Sequence, residues 1–411
     1  MKKIKKVLYD PQVNMRCEKE ILENLSNGEI IQMLPSAINQ YLWPTVLPYK
    51  KSSVIFSSAG TSNKPIQCLH CIDNLNISAL DTGNWLKENE IEPKDCYILN
   101  SLPLNHISGF MAFWRSIVWK CSYKFICPQD MKNGEYLCNY FMPGINFKSK
   151  FFVISLVPTQ LIRLMDTSSG IKWLKTFNVV WIGGSPIPTT ILSEARRAKI
   201  NLAPCYGSTE TAAMISCTSP KEFLAGHNDL GKPMGNIKLK ISSSNKNLQI
   251  LTKRLALEVI NKNKIQTITN HNGWWESGDI GKIYNFKDSI RLNILGRIDN
   301  SFKSGGETIY PEELQSKLEQ FISTNKIPIK NIIVIGIEDK TWCKKVNVIF
   351  SLEPESLNIE IENIVKSLKV LTNEWEKHKI PKAWIWDQRL SKNLLGKYEI
   401  EKWEKYIIDK Y

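Results

Sequence analysis

The sequence of 411 residues predicts an α/β protein with a large N-terminal domain and a small α+β C-terminal domain. Between about residues 52 and 290, strand-like runs alternate with helix-like stretches, the pattern of α/β subdomains. Within this part, residues 237–284 carry short strand-like runs separated by turns of Asn, Lys and Gly, which predict a β-rich subdomain. Beyond Asp299 the order is helix, strand, strand, helix, as in a compact α+β domain.

Each predicted element follows from its local composition. The strands of the first part are short runs rich in β-branched and aromatic residues, over 53–57, 97–101, 151–157 and 179–182. Apolar residues at helical spacing predict a helix over 191–199. In the small domain the same criteria predict helices over 311–321 and 360–371, and strands over 331–337 and 345–352.

Composition excludes several classes of protein. With 43% apolar and 10% aromatic residues, the chain is too apolar for a disordered protein. The 54 Lys and Arg against 40 Asp and Glu give a net charge of +14, which suggests an anionic partner. The basic residues are scattered, without a run of five or more like charges, so we expect no nucleic-acid partner. Small polyanions such as nucleotides remain compatible with this charge.

The N-terminus and the apolar stretches bear on localisation. Residues 1–6 are basic, but residues 7–11 end in Asp10 and Pro11 before the apolar core of a signal peptide forms. The longest apolar stretches, 151–157 and 332–337, fall far short of the roughly 18 to 20 residues that a spanning helix requires. We therefore expect a cytoplasmic protein without membrane insertion.

The chain contains ten cysteines, which in this setting are expected to be reduced thiols. Cys68 and Cys71 form a Cys-x-x-Cys pair. A structural zinc site needs two further ligands, and no second tight pair supplies them. We interpret this pair as buried, inert thiols rather than as a metal or redox site.

Polar and glycine-rich segments follow several of the predicted strands, where ligands bind in α/β folds. Residues 57–65 combine hydroxyls, a glycine and a lysine, which suit a phosphate-binding loop or an ordinary polar turn. Residues 181–186 end a strand in two glycines, and residues 206–211 bring a tyrosine, a glycine and a carboxylate. Glu210 suits either Mg²⁺ or the start of a helix.

Two further motifs complete the set. Asp279 precedes a glycine, so it suits a turn, but it equally suits acceptance of hydrogen bonds from vicinal ribose hydroxyls. Arg297 could donate to the same sugar. In this order and at these separations, the segments resemble the adenylate-forming superfamily of acyl-CoA synthetases, luciferases and peptide-synthetase adenylation domains, over residues from about 52 to 405.

The resemblance implies an ATP site built from all of these segments. Its residues would be Ser58, Gly60, Thr61, Ser62 and Lys64 at the β- and γ-phosphates, Gly183, Gly184 and Ser185 along the adenine, Tyr206 stacking on the adenine, Gly207 as a further nucleotide contact, Thr209 at the α-phosphate, and Asp279 and Arg297 at the ribose. Glu210 would bind Mg²⁺. The family usually has glycine where this chain has Asn63 and lysine where it has Ile66, so phosphate affinity is expected either to be weaker or to be supported by residues elsewhere.

The resemblance also implies a moving small domain. Asp299 falls at the hinge, so residues 1–298 would form the N-terminal ATP- and acyl-binding domain and residues 299–411 the mobile C-terminal domain. Lys397, in the terminal loop Leu394-Leu395-Gly396-Lys397, would enter the site for adenylation. After rotation, Ser304, Gly305 and Gly306 would line the tunnel for pantetheine.

The implied reaction joins a carboxylic acid to coenzyme A through an acyl-adenylate, with MgATP as the second substrate. Residues 102–109 and 155–164 look most like those of o-succinylbenzoate-CoA ligases of menaquinone and phylloquinone synthesis, in which His106 would lie beside the acyl carbonyl. That acid requires a pocket with aromatic walls and a cation for its second carboxylate. Two alternatives stay open: another aryl- or acyl-CoA ligase or carrier-loading enzyme, and a degenerate non-catalytic nucleotide-binding module.

Overall fold

The computed structural model describes residues 2–35, 46–47, 51–58, 66–141, 150–261, 264–287, 289–356, 358, 360–392 and 398–410. The described residues form four β-sheets and their covering helices, which confirms the predicted α/β class. The predicted strands and helices of both domains all form, with ends shifted by up to three residues.

The strands are numbered in chain order: β1 Lys2–Tyr9, β2 Ile30–Pro35, β3 Val46–Leu47, β4 Ser53–Ser57, β5 Gln67–Cys71, β6 Cys96–Asn100, β7 Ser122–Phe125, β8 Phe151–Leu156, β9 Val179–Ile182, β10 Leu202–Ser208, β11 Ala213–Cys217, β12 Lys232–Pro233, β13 Lys238–Ile241, β14 Asn247–Leu251, β15 Glu258–Asn261, β16 Lys264–Gln266, β17 Trp275–Phe286, β18 Ser289–Arg297, β19 Phe302–Ser304, β20 Glu307–Ile309, β21 Ile329–Asp339, β22 Cys343–Leu352 and β23 Ala383–Trp386.

The α-helices are numbered in the same way: α1 Asn14–Ser26, α2 Ile72–Glu88, α3 Ile107–Trp119, α4 Gly134–Tyr140, α5 Pro158–Met165, α6 Ser168–Leu174, α7 Thr189–Arg197, α8 Pro220–Leu224, α9 Pro311–Thr324, α10 Ile361–Thr372 and α11 Ile400–Lys410.

Two seven-stranded sheets enclose the helices α2 and α3. The first sheet has the order β16-β15-β5-β4-β2-β1-β3, and the second the order β12-β11-β10-β9-β8-β6-β7. One buried apolar cluster joins α2 and α3 to the first sheet, through Leu75 and Phe110, and another joins them to the second, through Trp85 and Ala112. The two helices therefore form the layer between the sheets.

The second sheet positions the candidate site. Its strands from β7 through β10 are parallel, and β11 and β12 continue it antiparallel. Gly183 follows the last residue of β9, and β10 ends at Ser208, so the motifs that contain them lie at neighbouring carboxyl ends of the sheet.

The β-rich subdomain is a four-stranded antiparallel sheet of order β13-β14-β17-β18. The structure alters the sequence-based interpretation of this region, because β15 and β16 extend the first sheet instead. Val259 of β15 lies opposite Cys68 of β5, and burial of Val259 and Ile260 against that sheet accounts for the difference. At its other end, β18 extends the subdomain to Arg297.

The small domain contains the sheet of order β20-β19-β22-β21, with β23 parallel to β22. Alternate residues of β21 face opposite sides: Ile332 and Val334 pack in the cluster with α9 and α10, whereas Ile333 and Ile335 pack with α11. All strands of this sheet follow Ser301. The boundary after residue 298 and the rotation of the domain stay predictions.

The described residues also bear on the expectations about a membrane span, the cysteine pair and the basic N-terminus. Of the helices described here, none combines the length and the hydrophobicity needed to cross a bilayer. Cys68 and Cys71 are both buried, and the Cys71 thiol donates to Oδ1 of Asn74 at 2.6 Å. Basic residues 2–6, which resemble the start of a signal peptide, instead form part of β1, parallel to β2.

Candidate active site

Two glycines after β9 allow the chain to approach the neighbouring strand. A Cβ at Gly183 would lie 3.0 Å from both the carbonyl oxygen and the Sγ of Cys205, and Gly184 has a φ of +89°. A side chain would crowd the first position and strain the second. Ser185 follows, half-buried. The segment predicted to border an adenine ring is thus narrow at Gly183 and Gly184, because glycine has no side chain.

At the end of β10, the pairing with β11 shifts register between Tyr206 and Gly207. A Cβ at Gly207 would overlap the carbonyl oxygen of Ala213, so the bulge requires glycine. Pairing continues after the bulge as far as Ser208 opposite Ala213, and Thr209 and Glu210 then lie in the turn between β10 and β11.

The structure brings Tyr206, Asp279 and Arg297 together. The Tyr206 hydroxyl donates to Oδ2 of Asp279 at 2.5 Å, and Nη1 of Arg297 donates to Oδ1 at 3.1 Å. Burial, and then the adjacent Asp279 carboxylate, raise the pKa of Tyr206, so the phenol stays protonated and donates. Arg297 also donates to Asp299 at 2.9 Å and so connects the predicted ribose site to the predicted hinge.

Gly278 gives Arg297 the space for this arrangement. It has a φ of +74°, and a Cβ there would lie 3.0 Å from Nη2 of Arg297. Its N–H donates to Oδ1 of Asn247, and the preceding Ser277 carbonyl accepts from Nη1 of Arg297 at 3.2 Å. The local backbone, and not only the pair of charges, therefore fixes the position of the guanidinium.

Glu210 follows β10 and lines a cavity of about 380 Å³. Burial raises the pKa of its carboxyl group, and a hydrogen bond from Ser208 opposes that shift. Hard oxygen ligands suit Mg²⁺, which typically takes one or two carboxylates together with substrate phosphates. A half-buried carboxylate that lacks a full counter-charge fits such a cation. The other residues that line the cavity are Ile66, Val259, Gln266, Thr267, Ile268, Thr269, Asn270, Trp274, Trp275 and Glu276.

His106 lies immediately before α3, and its carbonyl accepts from the N–H of Phe110. Burial lowers the pKa of its imidazole, so the ring is neutral near pH 7. This placement at the start of a helix is compatible with the predicted role beside an acyl group, which stays a prediction.

The structure shows a buried cation that the sequence did not identify. Arg115, on α3, is 1% exposed, and its Nε and Nη2 atoms find no hydrogen-bond partner among the described residues. Its guanidinium carbon lies 5.5 Å from the centre of the Trp181 ring. Burial, and then Arg254, lower the pKa of Arg115 to about 9. Among the residues that the structure describes, Nε1 of Trp181 and Oγ of Ser216 are also buried without a partner.

These orphan groups adjoin the predicted adenine segment. Trp181 precedes Gly183 by two residues on β9, and Ser216 lies opposite Tyr206 in the β10–β11 pairing. Unpaired buried donors cost about 1 to 3 kcal/mol each. A buried guanidinium beside an indole N–H therefore forms a set of donors suited to an anionic acceptor.

A second buried arginine, Arg254, supports the segment that carries Glu210. It donates to the carbonyls of Thr211 at 3.0 Å and of Ala212 and Met214, and it forms an ion pair with Asp81 at 3.2 Å. Nothing in the sequence indicated this contact, because Arg254 and Thr211 are 43 residues apart.

Several predicted site residues lie outside the described residues: Gly60, Thr61, Ser62, Asn63 and Lys64 of the phosphate loop, and Lys397. The base of the loop is described. The N–H of Ser58 donates to the carbonyl of Ile66 at 2.7 Å, which continues the antiparallel pairing of β4 and β5. The predicted phosphate loop therefore connects the two strands of a hairpin.

Ser304, Gly305 and Gly306 form the turn between β19 and β20. Gly305 and Gly306 have φ values of +58° and +88°, and a Cβ at Gly305 would crowd the Trp342 ring at 2.8 Å. The turn thus packs within the small domain, and its role toward pantetheine stays a prediction.

Comparisons with known proteins show the family and the fold of the chain. A family model described as "AMP-binding enzyme" matches residues 44–250. The 2-succinylbenzoate–CoA ligase of Bacillus licheniformis is 25% identical over 362 residues, which are 84% of this chain and 68% of the relative.

Solved structures resemble the chain over nearly its whole length. The o-succinylbenzoate CoA synthetase from Bacillus subtilis, in complex with the acyl-adenylate intermediate OSB-AMP, has a TM-score of 0.71 at 20% identity, and the match covers 98% of this chain and 88% of that one. The same synthetase in complex with ATP and magnesium ion has a TM-score of 0.69 at 18% identity, covering 98% and 89%. At these identities the likeness shows the fold.

Proposed function

Because the chain belongs to the family of AMP-binding enzymes, we propose that it is an ATP-dependent, AMP-forming acid–CoA ligase that activates o-succinylbenzoate. Family membership confirms the resemblance to adenylate-forming enzymes. The assignment of a ligase is supported by the relatives named 2-succinylbenzoate–CoA ligase, with which the chain aligns over most of its length. The activity would place the enzyme in menaquinone or phylloquinone synthesis.

The observation that carries the choice of acid is the unpaired, buried guanidinium of Arg115. o-Succinylbenzoate has two carboxylates on an aromatic scaffold. One carboxylate must reach the α-phosphorus of ATP, and the other enters the acyl pocket with its charge. A buried carboxylate needs a cation and hydrogen-bond donors to offset its lost hydration. Arg115 supplies both, and the Trp181 ring lies beside it, with an Nε1 that also lacks a partner among the described residues.

In the first half-reaction, a carboxylate oxygen of the acid forms a bond to the α-phosphorus, and the bond to pyrophosphate breaks. The groups of this chain hold the nucleotide in line: Asp279 and Arg297 receive the ribose, and Tyr206 receives the adenine. Glu210 and the phosphates would hold magnesium, which would supply positive charge against the developing negative charge. Lys397 is predicted to add the second cation.

In the second half-reaction, the thiol sulfur of coenzyme A attacks the acyl carbonyl carbon, and AMP leaves with the bonding electrons. His106, neutral near pH 7, would border the path of the thiol. Asp299 would allow the small domain to turn and bring Ser304 to Gly306 toward the site. Splitting the ligation in this way replaces one difficult displacement by two easier ones.

The first experiment measures pyrophosphate release with MgATP, coenzyme A and a panel of acids, namely o-succinylbenzoate, benzoate and short fatty acids, with mass detection of the thioester. A strong preference for o-succinylbenzoate supports the proposal. Preference for another acid would keep the reaction and replace the substrate. If pyrophosphate is released with none of these acids, the degenerate, non-catalytic nucleotide-binding module becomes the favoured alternative.

The role of Arg115 has its own test. Arg115→Met should raise the KM for o-succinylbenzoate about a hundredfold, the order expected when one partner of a buried charged pair is removed. It should leave unchanged the KM for an analogue whose ring carboxylate is replaced by hydrogen. Arg197→Met, at an exposed arginine, is the matched control. An equal loss toward both acids would refute the assignment.

A further inference from the structure

The turn that carries Thr209 and Glu210 has an unusual backbone. Ala212 and Ala213, directly after it, have φ values of +53° and +77°. Non-glycine residues in this region cost roughly 1 to 2 kcal/mol each. Two in succession persist only where the surroundings impose them, and such strain clusters at functional sites.

The surroundings impose this turn through its carbonyl groups. Every carbonyl oxygen from residue 209 to residue 214 accepts a hydrogen bond. The donors are His70 for Thr209, the N–H of Ala256 for Glu210, Arg254 for Thr211, Ser78 and Arg254 for Ala212, the Thr211 hydroxyl for Ala213, and Arg254 for Met214. These hydrogen bonds therefore fix the backbone of the turn through its carbonyl groups.

His70 is the donor nearest to the predicted nucleotide contacts. It lies on β5, is fully buried, and its Nε2 is 2.8 Å from the carbonyl oxygen of Thr209. A carbonyl oxygen can only accept, so Nε2 carries the proton. The N–H of Ala212 donates to the same oxygen, at 3.3 Å. His70 therefore supplies the shorter of the two bonds that hold this carbonyl.

The other ring nitrogen indicates that His70 does more than fill the core. Nδ1 is buried and has no hydrogen-bond partner among the residues that the structure describes. An unpaired buried acceptor costs about 1 to 3 kcal/mol, which an apolar side chain of similar shape would avoid. The benefit that offsets this cost is the bond to Thr209.

We infer that His70 is a positioning residue for nucleotide binding, because its Nε2–H holds the Thr209 carbonyl and thereby directs the Thr209 and Glu210 side chains toward MgATP. This rests on the ATP-dependent function proposed above. The role requires only a donor at the position of Nε2, and no charge on the ring.

Two amides of different length test this inference. The side-chain nitrogen of glutamine in His70→Gln reaches about as far as Nε2, whereas that of asparagine in His70→Asn is one methylene shorter. We expect His70→Asn to weaken equilibrium binding of MgATP about tenfold by calorimetry, and to raise the KM for MgATP equally. The KM for the acid should not change. His70→Gln should stay within about threefold of the unmodified protein.

Phe56→Leu is the packing control, because the Phe56 ring centre lies 6.3 Å from that of His70 on the neighbouring strand. It should lower the midpoint of thermal unfolding without changing the MgATP affinity of the folded protein. If His70→Asn does not fold, His70→Leu replaces it. Wild-type affinity in the disrupting variant, or equal loss in the glutamine and asparagine variants, would overturn the inference.

The same titrations separate this inference from the proposed function. If the unmodified protein binds MgATP but converts no acid of the panel, the proposed ligase activity is wrong, and the binding data alone decide the role of His70. If the unmodified protein does not bind MgATP, the inference on His70 is overturned too.

Discussion

The Tyr206 hydroxyl donates to Oδ2 of Asp279 at 2.5 Å, across 73 residues of sequence. Tyr206 ends a strand of the second sheet, and Asp279 belongs to the β-rich subdomain. One hydrogen bond therefore connects the residue predicted to stack on adenine with the residue predicted to hold the ribose. The bond therefore aligns the two parts of the predicted nucleotide site.

Removal of this hydroxyl should weaken nucleotide binding. A hydrogen bond to a carboxylate contributes about 1.5 kcal/mol, so Tyr206→Phe should raise the Kd for AMP about tenfold. The ring that stacks on adenine is retained, so the loss reports the orientation of Asp279. Calorimetric titration with AMP measures it, with Tyr140→Phe, at an exposed tyrosine, as control. An unchanged Kd would show that Asp279 needs no support from Tyr206.

Lys397→Ala should separate the two half-reactions. The predicted role of this lysine is charge neutralisation during adenylation, so pyrophosphate release should fall by about a hundredfold or more. Thioester formation from a supplied acyl-adenylate should continue at the normal rate. Lys392→Ala, a lysine in the same segment, is the control and should leave both rates unchanged. Equal loss of both steps would contradict the assigned role.

Asp299→Pro should give the opposite pattern. Proline fixes φ near −65° and so stiffens the predicted hinge. Thioester formation from acyl-adenylate should slow about tenfold or more, while pyrophosphate release is retained. Asp299→Ala removes the 2.9 Å contact with Arg297 but keeps a flexible backbone. If alanine slows thioester formation as much as proline does, the contact and not the hinge is responsible.

The fold could be predicted from the sequence, and candidate nucleotide contacts could be proposed from it, because both depend on local patterns. Gly183, Tyr206 and Asp279 each stand beside a recognisable strand end, and five such segments occur in one order. Arg115 could not be predicted in this way. It interrupts an apolar helix, where an arginine usually marks the solvent-facing side.

The Trp181 ring that lies beside Arg115 is far away in the sequence, on β9. His70 could not be predicted either, because its hydrogen-bond partner Thr209 is 139 residues away in the sequence. Buried polar groups acquire meaning only from the partners that the fold supplies. In the sequence alone, both residues lack any signal that distinguishes them from ordinary strand and helix residues.

Stability in acid should depend on a buried ion pair between the loop that follows α8 and the β-rich subdomain. Nε and Nη2 of Arg291 donate to the Asp229 carboxylate at 2.8 and 2.7 Å, and the Tyr284 hydroxyl donates at 2.7 Å. Burial alone would raise the pKa of Asp229, but these hydrogen bonds lower it to about 2. The folded state therefore binds the proton less tightly than the unfolded state does.

The sign of the pH dependence follows from this lowered pKa. Asp229 contributes its full stabilisation above its unfolded pKa near 3.8, and the contribution is lost as the pH falls toward 2. The difference between the two pKa values corresponds to about 2 kcal/mol. Asp229→Asn should lower the free energy of unfolding by about 3 kcal/mol at pH 7, because it leaves Arg291 short of a buried counter-charge.

Urea unfolding of both proteins from pH 7 to pH 3 measures the effect. The difference in stability should stay constant down to about pH 4 and narrow below it, since protonation then weakens the native pair as the substitution does. Asp73→Asn, at an exposed carboxylate, is the control and should not change the slope. A difference that stays constant to pH 3 would mean that Asp229 does not titrate with a lowered pKa, and that Arg291 is held mainly by Glu222.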